Sequence, residues 1–168
     1  NSETTQAASA LNAGVHSVTV TDANGATTSC NVTIDEPAVL SASAVQDSPV
    51  VCNGESNGAA TVTVLGGNAP YSYSWDNSTS VSASANDLTA GLHTITITDD
   101  KGCVTTASVT IDEPAVLSAS AVQDSPVVCN GESNGAATVT VLGGNAPYAY
   151  SWDKSASASA SANDLAAG

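Results

Sequence analysis

A displacement of 77 residues maps this 168-residue chain onto itself, and that internal repeat constrains the fold more than any other feature. Asp35–Asp76 and Asp112–Asp153 are identical except that Ser72 becomes Ala149. The same offset lays Lys154–Gly168 on Asn77–Gly91 with 11 of 15 identities, and Asn1–Ile34 on Ser78–Ile111 with 13 identities. The chain therefore divides into 1–34, the C-terminal part of one repeat; 35–111, a complete repeat; and 112–168, the N-terminal part of a third. Lacking an initiator Met and a signal peptide, it reads as an internal segment of something longer.

Within the complete repeat, apolar residues alternate with polar ones at period two, and turn residues separate the runs. The pattern predicts strands at Val39–Gln46, Val50–Cys52, Ala59–Leu65, Tyr71–Trp75, Ser80–Ala85, Leu92–Thr98 and Cys103–Ile111. Tyr71, Tyr73 and Trp75 fall on one face of their strand, opposite Ser72 and Ser74. The last two runs form a hairpin around Asp99-Asp100-Lys101-Gly102. Strands this short at this spacing imply an all-β chain of tandem immunoglobulin-like antiparallel β-sandwiches.

Composition narrows the function. Sixteen acidic residues face two lysines and no arginine, giving a formal charge of -14, so nucleic acid is excluded as a partner. An anionic membrane surface is disfavoured, and no apolar run approaches the ~20 residues of a membrane helix, so no membrane insertion is expected. Ser and Thr make up 43 of 168 residues and Phe is absent, so the cores must be small and built from Val, Ile, Leu and Ala.

Two cysteines, Cys52 and Cys103, belong to the complete repeat. A bridge between them would close a loop of about 50 residues and stabilise a thin core by roughly 3–4 kcal/mol. Four intervening strands would bring both to the same end of the sandwich. A head-to-tail fibre needs an odd total, so seven strands satisfy both conditions if Asp47-Ser48-Pro49 reverses the chain. The partner of Cys129 would lie at position 180, beyond the last residue. Cys30 corresponds to Ala107, about 13 Å further along the strand than Ala26, which stands where Cys103 does. Zinc is excluded by the absence of any Cys-x-x-Cys and the presence of only two histidines. Disulfides imply an oxidising, extracellular setting.

Candidate chemistry is sparse. His16 and His93 occupy equivalent positions with no nucleophile or orienting partner in view, so they read as corner or packing residues, and the chain as no enzyme. Asp35-Glu36, Asp99-Asp100, Asp112-Glu113 and Asp22-Ala23-Asn24-Gly25 offer oxygen donors of the kind calcium takes, without an EF-hand pattern; no other cofactor is expected. Asp and Asn are equally the preferred turn formers. The aromatic stripe could stack sugars, but a Trp on a central sandwich strand belongs to the core. Gly66-Gly67 is a turn and not a phosphate loop, since no Lys or helix follows. Only Asp112-Glu113-Pro114 separates Ile111 from the next repeat, and Pro114 with its extended neighbour predicts a restricted joint.

The ordered run Val51-Cys52-Asn53-Gly54, Gly58, Gly66-Gly67-x-x-Pro70-Tyr71-x-Tyr73-x-Trp75, Leu88-x-Ala90-Gly91-x-x-Thr94-x-Thr96-x-Thr98-Asp99 and Gly102-Cys103 resembles the SprB-type repeat. That repeat occurs in many copies in large surface adhesins of gliding Bacteroidota. His93 stands where the family more often has Tyr, and Ala26 replaces the second Cys of the first partial repeat. The resemblance implies type IX secretion, display on the outer surface, and a part in attachment and gliding motility as an adhesin filament. The implied partners are neighbouring repeats, a surface polysaccharide or abiotic surface, and the outer-membrane gliding or secretion machinery through other regions. Two other readings fit the residues: a spacer array in another secreted protein, and a subunit of a polymerised surface filament.

Overall fold

Ile95 and Ile97 alternate with Thr94, Thr96 and Thr98, and Ala107, Val109 and Ile111 alternate with Thr106, Ser108 and Thr110. That pattern gives each of two neighbouring strands one apolar face, and the positive φ of Gly102 turns one back onto the other. The computed structural model describes residues 7–167. It forms eleven strands: β1 (Gly14–Thr21), β2 (Thr27–Ile34), β3 (Ser41–Ser48), β4 (Gly58–Leu65), β5 (Ser72–Trp75), β6 (Ser84–Leu88), β7 (Gly91–Thr98), β8 (Val104–Ile111), β9 (Ser118–Ser125), β10 (Gly135–Leu142) and β11 (Ser161–Leu165).

Strands β3–β8 make two three-stranded antiparallel sheets, ordered β3-β4-β6 and β5-β7-β8. Their inner faces meet in one core. Ala60, Val62, Ala85 and Leu88 come from the first sheet, and Trp75, Ile95, Ile97, Ala107, Val109 and Ile111 from the second. Leu88, Ile95, Ile97 and Ile111 are fully buried, and each contributes roughly 1.5–3 kcal/mol over an exposed side chain. Gly58 is required where the sheets close, since a Cβ there would stand 2.5 Å from Ile111 Cγ2. The β-sandwich expected from the alternation is the architecture found.

Two of the expected strands are corrected. Val50–Cys52 is no strand: the chain continues past Pro49, buries Val50, and donates its amide to the Asp112 carbonyl at 2.8 Å. No reversal occurs at Asp47-Ser48-Pro49, so the repeat has six strands and not seven. The weak run Ser80–Ala85 is displaced to Ser84–Leu88. Ser80 and Ser82 turn their hydroxyls onto the Ser84 carbonyl, at 2.6 and 2.7 Å, and so take a backbone acceptor for local turns.

The Val50–Asp112 bond sets the end of β3 beside the end of β8, so these two strands run in the same direction. The antiparallel pairings β3/β4, β4/β6, β7/β8 and β5/β7 then give β5 and β6 one common direction. The chain climbs half the sandwich on β5, crosses between sheets at Asp76–Ala83, and climbs the rest on β6. It thus enters at a leading end, beside the start of β3, and leaves at a trailing end, beside the end of β8. Head-to-tail continuity is satisfied with six strands.

The neighbouring repeats are represented by their parts. β1 and β2 form a hairpin in the register of β7 and β8, with His16 opposite Val32 as His93 is opposite Val109. β9, β10 and β11 form a sheet matching β3-β4-β6.

Candidate functional site: the joint between repeats

The trailing end of the complete repeat is a loop, residues 49–57, fixed by its own polar atoms. Asn57 accepts the Val51 amide at 2.8 Å, its side-chain amide donates to Glu55 at 2.7 Å, and the Glu55 amide donates to the Cys52 carbonyl at 3.1 Å. This loop grips the linker to the third repeat. The Gly54 amide donates to the Glu113 carboxylate at 2.9 Å, Asn53 donates to the Pro114 carbonyl at 3.0 Å, and the Asp112 amide donates to Gln46 at 3.0 Å. Glu113 therefore serves as the acceptor for a loop amide.

The leading end is organised by Gly66-Gly67-Asn68 and its copy Gly143-Gly144-Asn145. The Gly67 amide donates to the Ala38 carbonyl and that of Gly144 to the Ala115 carbonyl, while Tyr71 and Tyr148 donate to the Gly66 and Gly143 carbonyls at 2.6 Å. A Cβ on Gly66 would lie 2.1 Å from the Val39 carbonyl oxygen, and its φ is +70°, so glycine alone fits. Across the joint, the Asn145 side-chain amide donates to the Val51 carbonyl at 2.6 Å. The leading end of the third repeat is thus seated on the trailing end of the second, and the linker is held by the second repeat's trailing end. Pro114 and the missing slack predict a restricted joint, and these hydrogen bonds fall on it.

Asp99 closes the leading end of the complete repeat. One carboxylate oxygen accepts the amides of Lys101 and Cys103 at 2.9 and 2.8 Å, and the other accepts the Asn68 backbone and side-chain amides at 2.9 and 3.2 Å. Burial favours the neutral acid, but the donors from Cys103, Asn68 and Lys101 outweigh it, so Asp99 titrates below an ordinary aspartate. In the first hairpin, Asp22 accepts the amides of Asn24 and Ala26 in the same way. Asp100 pairs with Lys101 at the surface. Among the described residues, no three of His, Cys, Asp or Glu stand close enough together to hold a metal ion, and Asp35, Glu36, Asp99, Asp100, Asp112 and Glu113 form no such group.

The expected Cys52–Cys103 bridge is overturned. All four cysteines are free thiols on exposed residues. Cys52 lies in the trailing loop and Cys103 before the first residue of β8, the length of an eight-residue strand away. At ~3.3 Å per residue that is about 26 Å, where a disulfide needs its Cα atoms within about 7 Å. The error lay in the strand count: β5 and β6 run the same way, so the chain makes three traverses between the cysteines and not four.

The other candidate residues fall into structural places. Trp75 is 4% exposed and donates to the Ser82 carbonyl at 3.0 Å, so it is core and not a sugar platform. His93 is buried at a corner, with Nε2 donating to the Thr89 carbonyl at 2.9 Å and Nδ1 lying 3.3 Å from an Asp76 carboxylate oxygen. Asn53, Gly54, Val51 and Asn145 are the functional residues that sequence reasoning missed. Their Asn-Gly composition marks a turn, and only the stacking of two repeats shows what the turn touches. No helix is long and apolar enough to cross a membrane among the described residues.

Among known families, the SprB repeat matches the chain at residues 44–80 and again at 121–157. Each match covers the first strand's end, the trailing loop, the second strand, the Gly-Gly-Asn turn and the aromatic run. No curated protein and no solved structure matches.

Proposed function

The chain carries two copies of the SprB repeat, and from that premise we propose that it is a non-catalytic segment of a large extracellular surface adhesin. In this reading the repeats stack head to tail into a stiff stalk that carries adhesive regions away from a gliding cell. The observation that supports it best is the joint, where Asn53 and Gly54 of the second repeat hold the three-residue linker and Asn145 of the third repeat donates to Val51 of the second. A spacer that only tethered would need slack, which Gly- or Ser-rich linkers supply and this joint lacks. The polar, acidic exterior, with a charge of -14, suits a rod that must not collapse on itself or associate sideways. Neighbouring repeats are its immediate partners, and surface polysaccharide and the outer-membrane gliding machinery are partners of the whole filament.

Tandem arrays of the 77-residue unit test the reading by electron microscopy. Contour length should grow linearly with repeat number, with end-to-end distance close to contour length. Arrays that coil, with end-to-end distance growing as the square root of repeat number, would refute a stalk. A second reading, a polymerised filament, has one observation in its favour: hairpin β1–β2 is the counterpart of the hairpin that would cover β9-β10-β11. Concentration-dependent sedimentation of the intact chain would favour it.

A further inference from the structure

Two exposed thiols stand at opposite ends of one module, too far apart to pair with each other, and one of them, Cys52, lies at the joint with the next repeat. Cys52 follows the Val51 carbonyl that receives Asn145 from the next repeat, so the point of contact between repeats is the peptide bond of Cys52 itself. At the leading end, Asn68 and Cys103 are tied to the two oxygens of the Asp99 carboxylate, at 2.9 and 2.8 Å. Asn145 is the copy of Asn68, in a turn whose Gly144–Ala115 and Tyr148–Gly143 bonds reproduce those of Gly67 and Tyr71. A third repeat built like the second therefore holds its Cys103-type cysteine across one carboxylate from Asn145, beside Cys52. The Asn side chain has two amide hydrogens, enough for both the carboxylate and the Val51 carbonyl.

We propose that Cys52 forms an inter-repeat disulfide with the Cys103-type cysteine of the following repeat, and that Cys103 pairs likewise with the Cys52-type cysteine of the preceding one. Each repeat contributes one thiol forward and one backward, so a run of joints is stapled covalently in series. The loops are suited to it: residues 49–57 and 99–103 are each fixed by their own hydrogen bonds, so the thiols are presented and not sought. Formation removes two protons and two electrons from the thiols. An oxidising disulfide, such as glutathione disulfide or a protein dithiol oxidase, accepts them and leaves as two thiols. The first repeat has Ala26 at the Cys103 position, so the joint in front of it carries no staple, and Cys30 stands elsewhere, at the core-facing position of Ala107. The inference rests on the stacked-repeat reading for the completion of the third repeat.

The test extends the chain after Gly168 with a copy of residues 92–111, completing the third repeat, and equilibrates it with reduced and oxidised glutathione. Non-reducing peptide mapping of the monomer should join Cys52 to the added cysteine, and leave Cys30, Cys103 and Cys129 open to alkylation. Cys52→Ser should abolish the bridge while Trp152 stays as buried as Trp75. An added cysteine that stays alkylatable, or that bridges to Cys129 within its own repeat, overturns the proposal. In the unextended chain, Asn145→Cys should cross-link to Cys52 under the same buffer. Failure of that cross-link overturns the stacked joint together with the staple. A successful cross-link beside an unbridged extended chain overturns the staple alone.

Discussion

Asp35–Asp76 and Asp112–Asp153 differ at one residue, yet they do not adopt one structure throughout. Their first sheets agree: β9-β10-β11 repeats the register of β3-β4-β6, including the bulge beside the first Ala of the central strand. Their aromatic runs do not. Ser72–Trp75 is strand β5 with Trp75 buried, whereas residues 149–152 form no strand and Trp152 is only half-buried. The missing element is the hairpin equivalent to β7–β8, which pairs with β5 and supplies Ile95, Ile97 and Ile111 to the core. Local pattern therefore suffices for the first sheet, and the second exists only by pairing with residues some 20 positions later. Hairpin β1–β2 shows the converse, for Val18 is 50% exposed where its counterpart Ile95 is 0% exposed.

The comparison breaks most visibly at Ile97. Ile97→Ala should cost about 2–5 kcal/mol of the complete repeat's stability, whereas Val20→Ala, at the equivalent place in the bare hairpin, should change stability by less than about 0.5 kcal/mol. Chemical denaturation followed by Trp75 fluorescence in a Trp152→Phe background reads the first, and hairpin amide exchange the second. Equal effects would mean that the core assigned to β7 is not the source of the repeat's stability.

A second contrast should vanish. Gly66 and Gly143 face the same carbonyl clash, each with a Cβ position 2.1 Å from the oxygen of Val39 or Val116. Gly66→Ala and Gly143→Ala should each cost of order 1–3 kcal/mol locally, by native-state hydrogen exchange of the adjoining Gly67 and Gly144 amides. The turn is built before either second sheet is needed, so unequal losses would show that it depends on β5.

The smallest effect is electrostatic. Asp87 is held below the ordinary aspartate range chiefly by the Ser78 hydroxyl, helped by Thr79, and Asp164 in the third repeat chiefly by Ser155. For a depressed carboxylate, stability is fully present above the unfolded value near ~3.9 and is lost as pH falls through the folded value. Both serine loops should thus open together below about pH 4 in amide-exchange profiles. Asp99 obeys the same sign, so the amides of Lys101 and Cys103 should lose protection over that acid range, and Asp99→Asn should flatten the dependence.

Much of this was legible in the residues. The 77-residue offset, the β7–β8 hairpin, the Gly66-Gly67 turn and the one-sided stripe of Tyr71, Tyr73 and Trp75 follow from alternation and turn chemistry. Ser84–Leu88 did not, because Asn86-Asp87 has the composition of a turn, while Asp87 spends its carboxylate on Ser78 and Thr79 and leaves its backbone to the sheet. Val50–Cys52 reads as a strand because three apolar residues stand in a row, whereas only Val50 is buried, with its amide on the Asp112 carbonyl. The common direction of β5 and β6 was beyond reach. A crossing between sheets at half height leaves no mark in composition, and it moved Cys103 to the far end of the module from Cys52.

The central claim is that the joint is a fixed docking surface. Spin labels at Thr106 on β8 and Thr140 on β10, in a chain with its four native cysteines replaced by serine, would report the distance across it by pulsed electron resonance. A clamped joint predicts one narrow distribution that chelator leaves unchanged and that broadens when Glu113→Ala and Asn145→Ala remove the bonds to Gly54 and Val51. A broad distribution in the parent chain, indifferent to those two substitutions, would contradict it.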